Sequence, residues 1–344
     1  MNKIKVKETT MTNPDQMLSA ALGAMEYIFN PTSNDKVLIL TDTYSASIAK
    51  AFEKASKTKV NTVDLYMLQN ERRPIREIPV ELEKLLPGKS IVLNIIQAFP
   101  EEIQFRIKWI FKVESNKQIR MGHMPGITED MMLNSVNVDF KTMKQNAEQI
   151  IIEFKNAEQL HITTEEGTDL FLGIAGRRIS KDIGVEPGEM CNIPCGEVYC
   201  APLETEANGV IVFNASIGDI GLLKTPLKVF VNNGKITKFE SNDSNLVDRI
   251  TELTEIDEDA KVIGELGIGV NPGARITGNM LEDEKAKGTA HIAFGNNEDF
   301  PGGGKNKSQI HRDFLFYRPT IEIKYSDDNN RLLMKKGDFI FKIK

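Results

Sequence analysis

At 344 residues the chain has room for two domains of ordinary size, and 40% hydrophobic with 27% charged residues is the composition of a soluble globular protein. A net charge of −6 speaks against nucleic-acid or membrane-surface partners, because both reward a basic face. The polar N-terminal stretch Met1–Asn13 lacks the apolar core of a signal peptide, and no apolar run has the length of a membrane helix, so a cytoplasmic protein is expected.

Residues 1–156 alternate helix and strand signals. Asp15–Phe29 has helical spacing, and Lys36–Asp42 (KVLILTD) is an apolar run that ends in a polar turn, as a buried strand does. Ser45–Ala55 reads as a helix, Val60–Met67 as a strand, Pro79–Leu86 as a helix and Ser90–Ile96 as a second buried strand. A helix over Glu101–Phe111, a short strand over Gln118–Met121 and a helix over Met143–Phe154 complete this half. Continuous apolar strands separated by helices predict a parallel sheet covered on both faces, hence a Rossmann-like α/β domain. No G-x-G-x-x-G follows the first strand, so nucleotide binding does not follow.

Residues 157–344 have a different texture, with strands in close succession at Leu160–Thr164, Leu170–Ile174, Val210–Ala215 and Leu227–Val231. Asn233-Gly234 predicts a tight hairpin into Ile236–Phe239, since a type I′ turn needs φ > 0 at both central positions. A helix is expected at Ser244–Thr254, then strands at Thr289–Phe294, Phe314–Tyr317, Ile321–Lys324 and Asp338–Lys342. This half is expected to be an α+β domain rich in antiparallel sheet. Cys191, Cys195 and Cys200 lack the paired spacing of a structural zinc site and are read as reduced, buried thiols.

Chemistry concentrates late in the chain. His311 and Asp313 form a His-x-Asp triplet, and side chains at i and i+2 of an extended segment share one side. His291 stands in another predicted strand. Two imidazoles and a carboxylate suit a borderline divalent metal. Glu197 and Glu265 each follow a glycine amid apolar neighbours, and a buried glutamate needs a metal or a basic partner. The loop Phe300–Ser308 fails the phosphate-loop pattern and reads as a mobile loop carrying His311 to the site. Arg177-Arg178 reads as a charged turn, or as a contact for a substrate carboxylate. Glu282–Lys285 reads as a solvated turn, or, from its place just before His291, as a support for the metal ligands. His123 and His161 read as structural.

These residues resemble the aminopeptidase T family of metallopeptidases. The likeness runs from about Val37 to Ile323, through Met124–Asp130, Asn137–Asp139, Gly167–Leu170, Gly196–Val198, Gly264-Glu265, Asp283–Lys285, His291–Gly295 and His311–Asp313. It implies two domains, a homodimer, and two divalent ions (Zn, Co or Mn) held by Glu, Glu, His, Tyr, His and Asp. Glu197, Glu265, His291, His311 and Asp313 match five of the six. Glu298 stands where the family has Tyr, so the sixth ligand could be Glu298, Tyr199 or Tyr317. The implied activity is removal of N-terminal residues from peptides by metal-activated water, with Glu197 or Glu265 moving the proton. The dihydroxypyridine dioxygenases are similar too. They imply instead one Fe(II) on His291, His311 and Asp313.

Overall fold

The computed structural model describes residues 13–327 and 329–341. The polar stretch before Asn13 and the end of the expected last strand, Lys342, lie outside the described residues. The first helix starts at Pro14 because the Asn13 side chain accepts from the amides of Asp15 and Gln16. The helix expected through Phe29 is α-helical only to Ala24. It continues as a π-turn over Met25–Phe29 and closes at Asn30, whose φ is 43°.

Five parallel strands follow in the order Thr62–Met67, Lys36–Thr41, Ile91–Ile96, Arg120–Pro125 and Met190–Asn192. Ile91–Ile96 is buried throughout and Lys36–Thr41 at all but its first residue, which is why both read as unbroken apolar runs. The helix Ala46–Lys57 packs Ile48, Phe52 and Ala55 against this sheet. The fifth strand arrives from beyond residue 157, so the parallel sheet draws on both halves of the sequence. Open parallel sheets hold ligands beyond the carboxyl ends of their strands, where the strand order reverses. Here that crevice is a cavity of about 320 Å³ lined by Tyr44, Asn70, Arg73, Pro74, Phe99 and Glu101. Asp42, just past the Lys36–Thr41 strand, accepts from the amides of Ser45 and Gln97 and from Arg73 (2.5 Å). Arg73 also pairs with Glu102, and all three side chains are buried.

The remaining strands build an eight-stranded and a seven-stranded sheet, both antiparallel. Asn233 and Gly234 make the expected hairpin with φ of 48° and 77°. The strands of the seven-stranded sheet that the sequence pattern does not announce include Glu197–Cys200 and Ile263–Gly269. These two lie beside Thr289–Gly295 and His311–Tyr317, where strands are expected at Thr289–Phe294 and Phe314–Tyr317. Among the described residues no helix is long and apolar enough to cross a membrane.

Candidate metal centre

Four neighbouring strands present one face. Glu197 is opposite Gly269 and Tyr199 opposite Gly267; Gly267 is opposite His291; Ala293 is opposite both Glu265 and Asp313; Gly295 is opposite His311. Opposed residues, and residues two apart on a strand, point the same way, so Glu197, Glu265, His291, His311 and Asp313 converge. Gly267 makes room for this. A Cβ there would lie 2.0 Å from the His291 ring, so the imidazole reaches between the two glutamates only across a glycine.

Glu265 is the hinge of the arrangement. Its Oε1 is 3.6 Å from His291 Nε2, and its Oε2 is 2.9 Å from His311 Nε2. Glu197 Oε2 also faces His291 Nε2 (3.5 Å), and Asp313 Oδ1 faces His311 Nε2 (3.4 Å). Two groups result, Glu197–Glu265–His291 and Glu265–His311–Asp313, each with ligand atoms within 4.8 Å of one another. Donors bound at the usual zinc distances to one tetrahedral ion stand roughly 3.3–3.6 Å apart, the spacing of three of these contacts, whereas His311 Nε2 and Glu265 Oε2 stand at hydrogen-bond distance. Glu197 Oε2 and Asp313 Oδ1 are buried with no hydrogen-bond partner among the described residues. Such carboxylate oxygens are costly unless a cation takes them. The donor set therefore fits divalent cations. His311 donates from Nδ1 to the Asn296 carbonyl (2.7 Å), which aims Nε2 at the carboxylates.

The electrostatics agree. Burial disfavours charge on His291, but hydrogen bonding and attraction to Glu265 and Glu197 outweigh it and raise its pKa to about 9. His311 is raised likewise by Asp313 and Glu265 against burial. Glu265 is held well below the usual carboxylate range, because both imidazoles overcome its burial. Burial pushes Glu197 up despite Lys285 and His291. The cluster thus retains protons where a cation would otherwise place positive charge, and cation binding would release them.

The expected solvated turn at Glu282–Lys285 is corrected: Glu282, Asp283 and Lys285 are buried. Asp283 accepts from the amides of Thr277 and Gly278, which binds the segment into a compact loop. Lys285 lies beneath the centre, with Nζ 2.5 Å from Glu197 Oε1, 2.8 Å from Glu284 and 3.0 Å from Asp182. The sequence reading includes Lys285 in the Asp283–Lys285 part of the family resemblance, but it does not point to Asp182, which is remote in sequence.

Glu298 is not brought to this face. Its side chain is half exposed and 3.4 Å from Lys307. Of the two tyrosines, Tyr199 stands on the site face beside Glu197, while Tyr317 lies at the far end of the His311 strand. The loop expected to be mobile is pinned. Asn297 and Asn306 exchange hydrogen bonds across its neck, and Glu204 accepts from the Lys305 amide (2.8 Å) and from Arg177. Its Phe300 packs on His311 and Tyr199, with ring centroids 5.4 and 5.5 Å apart. Arg177 is thereby a buried support of the loop rather than a surface charge, whereas Arg178 is exposed with its Cβ against Gly302. His123 is buried against Asn94 (2.8 Å), and His161 pairs with Asp169 (2.7 Å), both away from the site. Cys191, Cys195 and Cys200 are buried and unpaired.

The profile of one family, the thermophilic metalloproteases (M29), matches residues 137–339, more than half of the chain. The chain belongs to this family of metal-dependent hydrolases. Two solved structures share the fold over nearly their whole length. AmpT from Thermus thermophilus is 15% identical, with a TM-score of 0.70 over 95% of this chain and 99% of that one. The 2,5-dihydroxypyridine dioxygenase of Pseudomonas putida KT2440 is 18% identical, with a TM-score of 0.71 over 96% and 98%. No curated protein matches the chain in sequence.

Proposed function

We propose that this protein is an aminopeptidase that cleaves N-terminal residues from peptides with two divalent cations, Zn, Co or Mn. One would be held by Glu197, Glu265 and His291 and the other by Glu265, His311 and Asp313. The observation that carries this reading is Glu265, which directs one oxygen at each histidine. A carboxylate so divided suits a pair of cations better than a single one.

Divalent ions so held lower the pKa of water and polarise a carbonyl. The chain's own residues orient the reactants. Glu197 and Glu265 are the two carboxylates placed to carry a proton to the leaving amine. Phe300 and Tyr199 form the apolar wall beside His311. The homodimer implied by the family resemblance, and the cytoplasmic setting expected from the polar N-terminal stretch, belong to the same reading.

A single Fe(II) on His291, His311 and Asp313 is the competing reading, since the dioxygenase shares the fold. The geometry favours the pair, because His291 groups with the two glutamates and His311 with Asp313. Metal content and release of leucine from leucyl amide decide the matter. Two ions per chain are expected with hydrolysis by the wild type, and loss of activity in both variants, with both ions weakened in Glu265→Gln and the ion at the His311 position lost in His311→Ala. One iron with oxygen-dependent turnover would replace this reading, and equal hydrolysis by all three proteins would end it.

A further inference from the structure

Lys285 touches one half of the centre only. Its ammonium is fully buried and bonded to Glu197, while Glu265 and Asp313 meet no lysine or arginine among the described residues. This ammonium, which Glu284 and Asp182 also face, is a fixed positive charge beside one cation position and not the other, and it makes the positions unequal. Glu197 must share its carboxylate between an ammonium and an incoming ion, and the ammonium repels that ion at short range in a buried setting. Asp313 has no such competitor.

Two further features point the same way. His311 is 29% exposed and His291 only 1%, so an ion reaches the His311 position while still partly hydrated. His311 is also aimed in advance by the Asn296 carbonyl. Glu265 belongs to both groups, and once one cation draws on it, less negative charge is left for the second.

Resting on the two-cation reading, we propose that Lys285 sets the order of loading: the Glu265–His311–Asp313 position fills first and tightly, and the Glu197–Glu265–His291 position fills last. Lys285 is then a positioning residue that leaves the buried cation exchangeable. The charge, rather than the shape of the side chain, carries the effect.

The test is a titration of the metal-free full chain with Mn²⁺ or Zn²⁺, followed by calorimetry, with anomalous scattering from crystals given one equivalent. Two sets of sites differing roughly tenfold or more in affinity are expected. The first anomalous peak should lie between His311 and Asp313. Lys285→Arg keeps the charge and should keep the order. Lys285→Met should narrow the gap or place both peaks at one equivalent, and thermal unfolding of the metal-free variants shows that they fold. A first peak between Glu197 and His291 in the wild type, or an unchanged gap in folded Lys285→Met, overturns the proposal. Failure of the wild type to bind any ion overturns the two-cation reading itself.

Discussion

Two of the buried clusters of opposite charges in this molecule are solved differently. At the carboxyl edge of the parallel sheet, Asp42, Arg73 and Glu102 are as buried as the residues of the candidate centre. Asp42 accepts from two amides and Arg73; Glu102 accepts from Arg73 and the Ile75 amide. In the seven-stranded sheet, Glu197 Oε2 and Asp313 Oδ1 face imidazole nitrogens at 3.4–3.5 Å and find no hydrogen bond among the described residues. Buried charge alone therefore does not mark a functional site. The ion triad is complete in itself and stabilises a crevice, whereas the His–carboxylate face is left incomplete in the way a cation completes.

The sharpest way to break this contrast is Arg73→Met. Removing one partner of a buried ion cluster costs about 3–5 kcal/mol, because the carboxylates stay behind unpaired. Chemical denaturation should show that loss, with metal content unchanged. The pH dependence gives an independent check. Burial alone would raise the Glu102 pKa, but Arg73 and the Ile75 amide outweigh it and hold it below its ordinary 4.5. A folded-state pKa below the unfolded one adds stability above that unfolded value, and the gain disappears as pH falls through the folded one. Wild-type stability should therefore decline below about pH 4.5, while Arg73→Met gains from protonation of its unpaired carboxylates. Parallel curves for the two proteins would mean that the triad is not the stabilising unit.

Gly267→Ala is the complementary test and removes no ligand. The added Cβ would overlap the His291 ring at 2.0 Å, so either the imidazole or the strand has to move. Overpacking of this kind costs about 1–3 kcal/mol. The expected signature is metal uptake falling with His291 while the parallel-sheet half keeps its stability. Full metal content in Gly267→Ala would show that His291 does not need the position it occupies.

The parts of this architecture that are legible in sequence are those with a simple period. KVLILT and IVLNII read as buried strands because both of their faces are covered, and Asn233-Gly234 reads as a turn because its backbone angles demand it. The triplet His311-Arg312-Asp313 is legible because its two ligand candidates sit two apart on one strand. The strand Ile263–Gly269 (IGELGIG) is not, since glycine disfavours strands and three of its seven residues are glycine. Those glycines answer to neighbours that sequence order hides. A Cβ at Gly267 would meet His291, one at Gly269 the Ala286 carbonyl, and one at Gly264 the Gly295 carbonyl. The same long-range packing buries Lys285, which in isolation reads as a charged turn.

The smallest expected effect is the one at Glu298, which takes the place where the family resemblance puts a tyrosine. Were Glu298 a ligand, its side chain would be buried against His291 or His311, as Glu197 and Glu265 are. It is instead half exposed beside Lys307, and an exposed pair of this kind contributes about 0–1 kcal/mol. Glu298→Gln should leave metal stoichiometry and hydrolysis of leucyl amide within error of the wild type. Tyr199 stands beside Glu197 on the site face while Tyr317 lies at the far end of the His311 strand, so Tyr199→Phe tests for a sixth ligand in a place that Glu298 does not reach. A loss of cation in Glu298→Gln, with none in Tyr199→Phe, would mean that the 298–305 loop swings inward when the centre is loaded. The hydrogen bonds across its neck, and the Arg177–Glu204 pair beneath it, would then have to give way.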